Sequence, residues 1–246
     1  MKDQIRSEYR KLRTTRSAWG LLAGLVVLSG LATWGIIANT SLGVSAALTS
    51  LPVFVPLMMV VPIFTLVLGV RAYTDEARHG SIVPTLLASP DRRRVVGAKL
   101  VVVTAAGAVL ALAAAAVAIG ISVAWLAVDG VAITVAVTSL ALILAKVATL
   151  GMLWSAIGLG VGLFVSHQVA AMVGSLVWLL VGESLVEVVS AGVAKFLPVH
   201  AGTALLGMSA SDATLVAPLV GAGLLAGWAA LSLGAGARAF VRLDIA

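Results

Sequence analysis

The chain has 246 residues, 61% of them hydrophobic and 11% charged, with a mean hydropathy of +1.14 and a formal net charge of +6. Soluble domains average roughly 45–50% apolar residues, so this composition excludes an ordinary globular domain and points to an all-α polytopic membrane protein with no room for a sizeable soluble unit. The lack of cysteine excludes disulfides and thiolate metal ligands, and positive charge clustered beside apolar runs is a topology signal, so no nucleic-acid partner is expected.

The opening segment, "MKDQIRSEYRKLRTTRSAW", places Ile5, Tyr9, Leu12 and Trp19 at separations of four, three and seven, with Lys and Arg on the remaining faces. That spacing predicts one helical stripe. Such an interfacial helix lies in the headgroup layer of the bilayer, apolar groups inward and cations toward anionic lipid, with Trp19 at belt level. A simpler alternative is a basic flank that only sets topology. The run at 18–38 is longer than a signal-peptide core and "IIANT" offers no small-x-small cleavage site, so it is expected as a retained first span.

A second span is expected at about 52–72. After it comes "YTDEARHGSIVPTLLASPDRRRVVGAKL", unusually charged for this chain, with Asp75, Glu76, Arg78, Asp91, Arg92–Arg94 and Lys99. Gly80 can take the positive φ that ends a helical extension through Asp75, Glu76 and Arg78. Ser81 is a cap candidate for a short helix bearing Ile82, Val83, Leu86 and Leu87. Ser89-Pro90-Asp91 reads as a second start, with Ser89 capping and Pro90 at the first position. From there one helix runs through Arg92–Arg94 and Lys99 into the third span. The short apolar helix either docks into a partner or rests on the bilayer.

The remaining spans are expected at about 98–126, 138–164, 168–187 and 215–237. The stretch 131–164 is too long for one crossing at 1.5 Å per residue, so its start is placed late. Fourteen Lys and Arg fall in the N-terminal segment, the second-to-third connection and the tail, against Lys195 alone on the other side. The positive-inside rule then puts both termini in the cytoplasm, the membrane being the plasma membrane. Small residues recur as Gly20-x-x-x-Gly24, Gly158-x-Gly160-x-Gly162 and Gly223-x-x-x-Gly227, spacings that permit close helix contacts.

Two ionisable residues fall inside spans, Lys146 and Glu183. Burial in lipid is costly, so they either pair, face a polar path, or sit near the interface where the cost is small. His167 and His200 fall in separate connections with no second ligand at metal spacing, and no metal site is expected. Neither a G-x-S-x-G elbow nor an H-E-x-x-H helix occurs.

Taken in order, Glu76, Gly80-Ser81, Leu86-Leu87, Pro90, Arg92–Arg94 and Lys99 resemble the first cytoplasmic loop of the type 2 ABC exporter permeases. That loop shows an acid, a glycine with Ser or Thr, a Leu-Leu pair, a proline, a basic patch and a lysine entering the next span. "SEYRKLRTTRSAW" resembles the opening of many such permeases, and "KFLPVHAGTALL" their short re-entrant outer helices. The resemblance covers the chain, 1–246, as one transmembrane domain.

It implies a transport subunit, not an enzyme, that exports a hydrophobic or amphipathic substrate. Such a subunit pairs with a second permease copy or paralogue and contacts a separate ATP-binding subunit, which holds ATP and Mg. The segment after the second span would be the coupling helix, with Ile82, Val83, Leu86 and Leu87 docking and Glu76 and Arg93 fixing register. No G-x-x-x-x-G-K-[ST] phosphate loop occurs in the chain, so no cofactor is expected on it. The alternatives are a stand-alone secondary transporter, which would use membrane-embedded acids or broken helices at a repeat interface, and an intramembrane enzyme, for which no convergent catalytic groups are found.

Overall fold

Apolar runs in a bilayer must satisfy their own backbone hydrogen bonds, which leaves helix as the local solution. The computed structural model describes residues 2–39, 51–80, 91–128, 137–207 and 217–242 and is almost wholly helical over them, with no strand among the described residues. In chain order the helices are α1 (Lys2–Thr14), α2 (Arg16–Asn39), α3 (Leu51–Arg78), α4 (Arg92–Val128) and α5 (Val137–Val165). They continue with α6 (Gln168–Val189), α7 (Ala191–Ala194), α8 (Pro198–Leu206) and α9 (Pro218–Arg242). Six of them, α2 to α6 and α9, are long and apolar enough to cross a membrane.

Two spans overrun the apolar limits read from the sequence. The second continues to Arg78, and Gly80 follows it with φ +67°, the left-handed stop that glycine allows. The third begins at Arg92; its 37 residues reach about 55 Å, well beyond a hydrocarbon core about 30 Å thick. Its cap differs from the expected one. The Asp91 carboxylate accepts from the Arg93 and Arg94 amides at 3.1 and 3.3 Å, so Asp91 is the N-cap and Arg92 the first helical residue. An aspartate there serves as cap and as countercharge to the helix dipole. Ser89 and Pro90 lie outside the described residues.

The centre of the bundle is α5, packed on α3, α4 and α9. Lipid tails are as apolar as leucine, so helices associate by close van der Waals fit, and the glycines of α5 supply it on two faces. Gly158 lies against the Leu66 carbonyl and Gly162 against Val70, both on α3; Gly160, between them, lies against Ser232 and Leu233 on α9. Gly151 and Gly107 bring α5 and α4 into backbone contact. Leu57, Val61, Leu110, Ala111, Ala114, Val147, Leu150 and Leu225 fill the remaining core. The other small-residue pairs behave differently: Gly20, Gly223 and Gly227 face open space, and Gly24 meets only the Phe64 ring.

In α6 the ladder slips to i→i+5 bonding over Trp178–Gly182, where the amide of Glu183 bonds the Trp178 carbonyl. Such π-turns shift the face on which later residues emerge.

Gly160→Val tests the packing. Its Cβ would stand 2.6 Å from the Leu233 nitrogen, and overpacking of this kind costs about 1–3 kcal/mol. The purified variant is expected to unfold at a lower temperature than the parent, whereas Gly223→Ala, facing open space, should match it.

Candidate functional site

The N-terminal helix stops at Thr14, where the Thr14 and Thr15 hydroxyls bond back to the Lys11 carbonyl at 3.2 and 2.5 Å. Trp19 therefore belongs to α2, and the four-residue stripe read from the sequence is broken. Its indole nitrogen donates to the Arg13 carbonyl at 3.2 Å. Of the stripe, Leu12 packs on the core and Ile5 is half-buried, while Tyr9 and Trp19 are exposed. The docked face of α1 is thus narrower than the spacing implied, and it carries an acid.

That acid is Glu8. Its Oε1 lies 2.8 Å from Lys11 Nζ and its Oε2 2.8 Å from Lys99 Nζ. Glu76 Oε1, on the charged extension of α3, lies 2.9 Å from Lys11 Nζ and 2.8 Å from Lys99 Nζ. Each carboxylate meets two ammonium groups and each ammonium two carboxylates, so the four close a ring of alternating charge. Lys99 is only 1% exposed and also donates to the Ala72 carbonyl at 3.1 Å. A buried ammonium survives when its partners are close and its donors are used, and Lys99 meets both conditions.

Burial alone would raise the Glu8 carboxyl, but Lys99, with hydrogen bonds from Lys11 and Lys99, holds it below its ordinary 4.5. Burial would lower the Lys11 ammonium, yet Glu8 and Glu76 hold it above its ordinary 10.5. Both shifts describe groups that are more stable charged in the ring than in an unfolded chain.

Other polar ties gather at the same end. Asp75 binds Arg71 at 3.0 Å and accepts from Gln168 at 2.5 Å, and Gln168 accepts from Arg78 at 3.2 Å, which fastens the start of α6 to α3. Arg92 donates to the Phe240 and Val241 carbonyls at 3.0 Å, fastening α4 to the last turn of α9. A cavity of about 530 Å³ opens beside the ring, its lining including Lys11, Arg71, Asp75, His79, Leu21 and Leu68.

The connection between the second and third spans is therefore gripped at both ends, by Glu76 before it and Lys99 after it. Of the docking residues read from the sequence, Ser81, Ile82, Val83, Leu86 and Leu87 lie outside the described residues. Arg93 is exposed, and Gly80 ends the α3 extension. Glu76 is committed to Lys11 and Lys99 within the chain rather than standing free to set a partner's register. Sequence reasoning took Glu8 and Lys11 only as part of the opening pattern and gave them no site role, although one carboxylate at i,i+3 from a lysine, amid a basic run, was a visible signal.

At the opposite end, Lys146 and Glu183 do not pair with each other. Both serve α8. The Val199 amide, in its first turn, donates to Glu183 at 2.8 and 3.0 Å, while Lys146 Nζ comes within 3.5 Å of the Leu206 carbonyl in its last. An acid at the positive end of a helix and a cation at the negative end both oppose its dipole. Glu183 is buried rather than at an exposed interface, because the chain folds α8 over it.

Comparison with known protein-family models gave no match, and comparison with curated proteins gave none either.

Lys99→Met should leave Glu8 and Glu76 with Lys11 alone. Breaking a buried pair from one side costs about 3–5 kcal/mol, so α1 is expected to come away, seen as faster trypsin cleavage at Arg6 and Arg10. The pH dependence carries a definite sign. A depressed Glu8 contributes stability that is present at neutral pH and lost as pH falls through its folded value, below 4.5. Lys11 contributes stability lost only as pH rises through its folded value, above 10.5. Amide exchange in α1 should accordingly be slow at neutral pH and accelerate, beyond the intrinsic rate, in acid and in strong alkali.

Proposed function

We propose that the chain is the membrane-spanning permease subunit of an ABC exporter of the type 2 kind. In this reading it lies in the plasma membrane with both termini cytoplasmic and moves a hydrophobic or amphipathic substrate. A separate subunit binds and hydrolyses ATP with Mg, and a second permease copy or paralogue completes the path. The observation that carries the proposal is the charge ring of Glu8, Lys11, Glu76 and Lys99. It fixes both ends of the connection that holds "SIVPTLLA", so a push on that segment from outside would reach α1, α3 and α4 together.

Two further features support it. The exposed valines of α6, Val169, Val173 and Val177, leave a side of the bundle for lipid or a second permease. A cavity of about 340 Å³ between α5, α6 and α9, lined by Trp154, Trp178, Trp228 and Val161, suits an apolar substrate. A stand-alone secondary transporter is the second reading, and the buried acid Glu183 with the π-turn before it is the feature that favours it.

Replacing Leu86 and Leu87 by Asp decides between them. The double variant is expected to insert normally and to lose co-purification with an ATP-binding subunit, along with ATP-dependent transport. Undiminished co-purification would remove the coupling-helix assignment, and transport without any ATPase would favour the second reading.

A further inference from the structure

The outer end of α6 presents two acids one turn apart, Glu183 and Glu187, and His200 of α8 stands between them. Its Nδ1 is 3.5 Å from Glu183 Oε2 and its Nε2 is 3.5 Å from Glu187 Oε2. Exposure falls in steps along this row: the side chain is 57% exposed at Glu187, 21% at His200 and 2% at Glu183. The inner member is a buried carboxylate that accepts from the Val199 amide at 2.8 and 3.0 Å, with the backbone amide of His200 beside it. Backbone donors offset part of the desolvation of a carboxylate but supply no countercharge. The facing Nδ1 of His200 is itself buried and makes no hydrogen bond among the described residues.

Few other charges reach this place. Lys195 lies over the Phe196 ring at 5.1 Å, and Lys146 is spent at the far end of α8. Residues 51–70 of α3 and 218–237 of α9, the other helices packed on α8, carry no charge. The missing cation must come from His200. A neutral imidazole carries one N–H and can serve one of the two acids; the imidazolium carries two and serves both. The acids approach opposite nitrogens of one ring, which is the arrangement of a proton relay rather than of a single metal centre.

We propose that Glu187, His200 and Glu183 form a proton-binding site in which a proton taken from solvent is held on the imidazole between the two carboxylates and fastens α8 to α6. Uptake adds one proton to the ring, giving N–H toward Glu187 and N–H toward Glu183; no other bond changes. Its release leaves Glu183 held by backbone amides, without a countercharge. The fastening is strong while the ring carries its second proton and weakens when that proton leaves. The site is independent of the reading of the chain as an exporter subunit.

Hydrogen exchange of the Val199 amide in the full chain, reconstituted in nanodiscs, tests this, because that amide donates to Glu183. Protection relative to the intrinsic rate should fall about tenfold between mild acid and mild alkali, the scale of one close opposite charge. His200→Gln should be weakly protected at every pH, and His200→Arg, a permanent cation, strongly protected at every pH. His79 and His167 lie at the other end of the bundle and leave this local readout alone. A flat profile in the parent chain, or a pH dependence that survives in His200→Gln, would overturn the proposal. The readout involves no ATPase and no transport, so its failure is separate from failure of the permease reading.

Discussion

The charged end of the molecule depends on one buried ammonium. Lys99 sits where α4 enters the bundle, and a buried ammonium there is costly without carboxylates close to it. Glu76 comes from the end of α3 and Glu8 from α1, so three elements distant in sequence are drawn to a single nitrogen. Lys11 then closes the ring by neutralising the two acids that Lys99 has collected. Removing a lysine leaves two carboxylates sharing one ammonium, and removing an acid leaves two ammonium groups sharing one carboxylate, so the four residues behave as one structural unit rather than four surface pairs.

The opposite end solves a related problem with fewer charges. A short helix such as α8 has unsatisfied amides at its start and carbonyls at its end, and a low-dielectric setting makes both expensive. Glu183 and Lys146 approach those two ends from α6 and α5. The two intramembrane charges thus solvate a helix instead of each other. His200 adds a titratable partner to this arrangement, and Trp228 of α9 contributes a hydrogen bond to the Phe196 carbonyl at 2.9 Å.

The fold was readable where the physics is one-dimensional. Apolar runs of about 20 residues mark crossings because hydrocarbon thickness fixes their length, and six such helices are present. Gly80 was legible as a stop because only its backbone freedom was at issue. The stripe from Ile5 to Trp19 failed because spacing cannot register a break at Thr15, where side-chain hydroxyls compete for the helix carbonyls. The ring was hidden for another reason. Glu8 and Lys99 stand 91 positions apart, and only packing decides which acid a buried lysine finds. Glu183 and Lys146 were noticed as costly charges, but their shared partner was a backbone, which leaves no trace in residue identity.

Between the two ends runs a continuous line of close backbone contact. The ring grips α3 at Glu76; α3 meets α5 at Leu66 and Val70 through Gly158 and Gly162, and α5 meets α9 at Ser232 through Gly160. Gly221 of α9 then lies against the Ala201 carbonyl of α8, the helix that Glu183 holds. Backbone-to-backbone contacts of this kind leave no flexible side chain between neighbours to absorb a shift, and packed interiors are stiff. A rigid displacement imposed on α3 at the ring would therefore have to be met by α5 and α9 sliding together, or by α8 parting from α6. The second outcome requires only that the Glu183 tie be weak, and the protonation of His200 would set how weak it is.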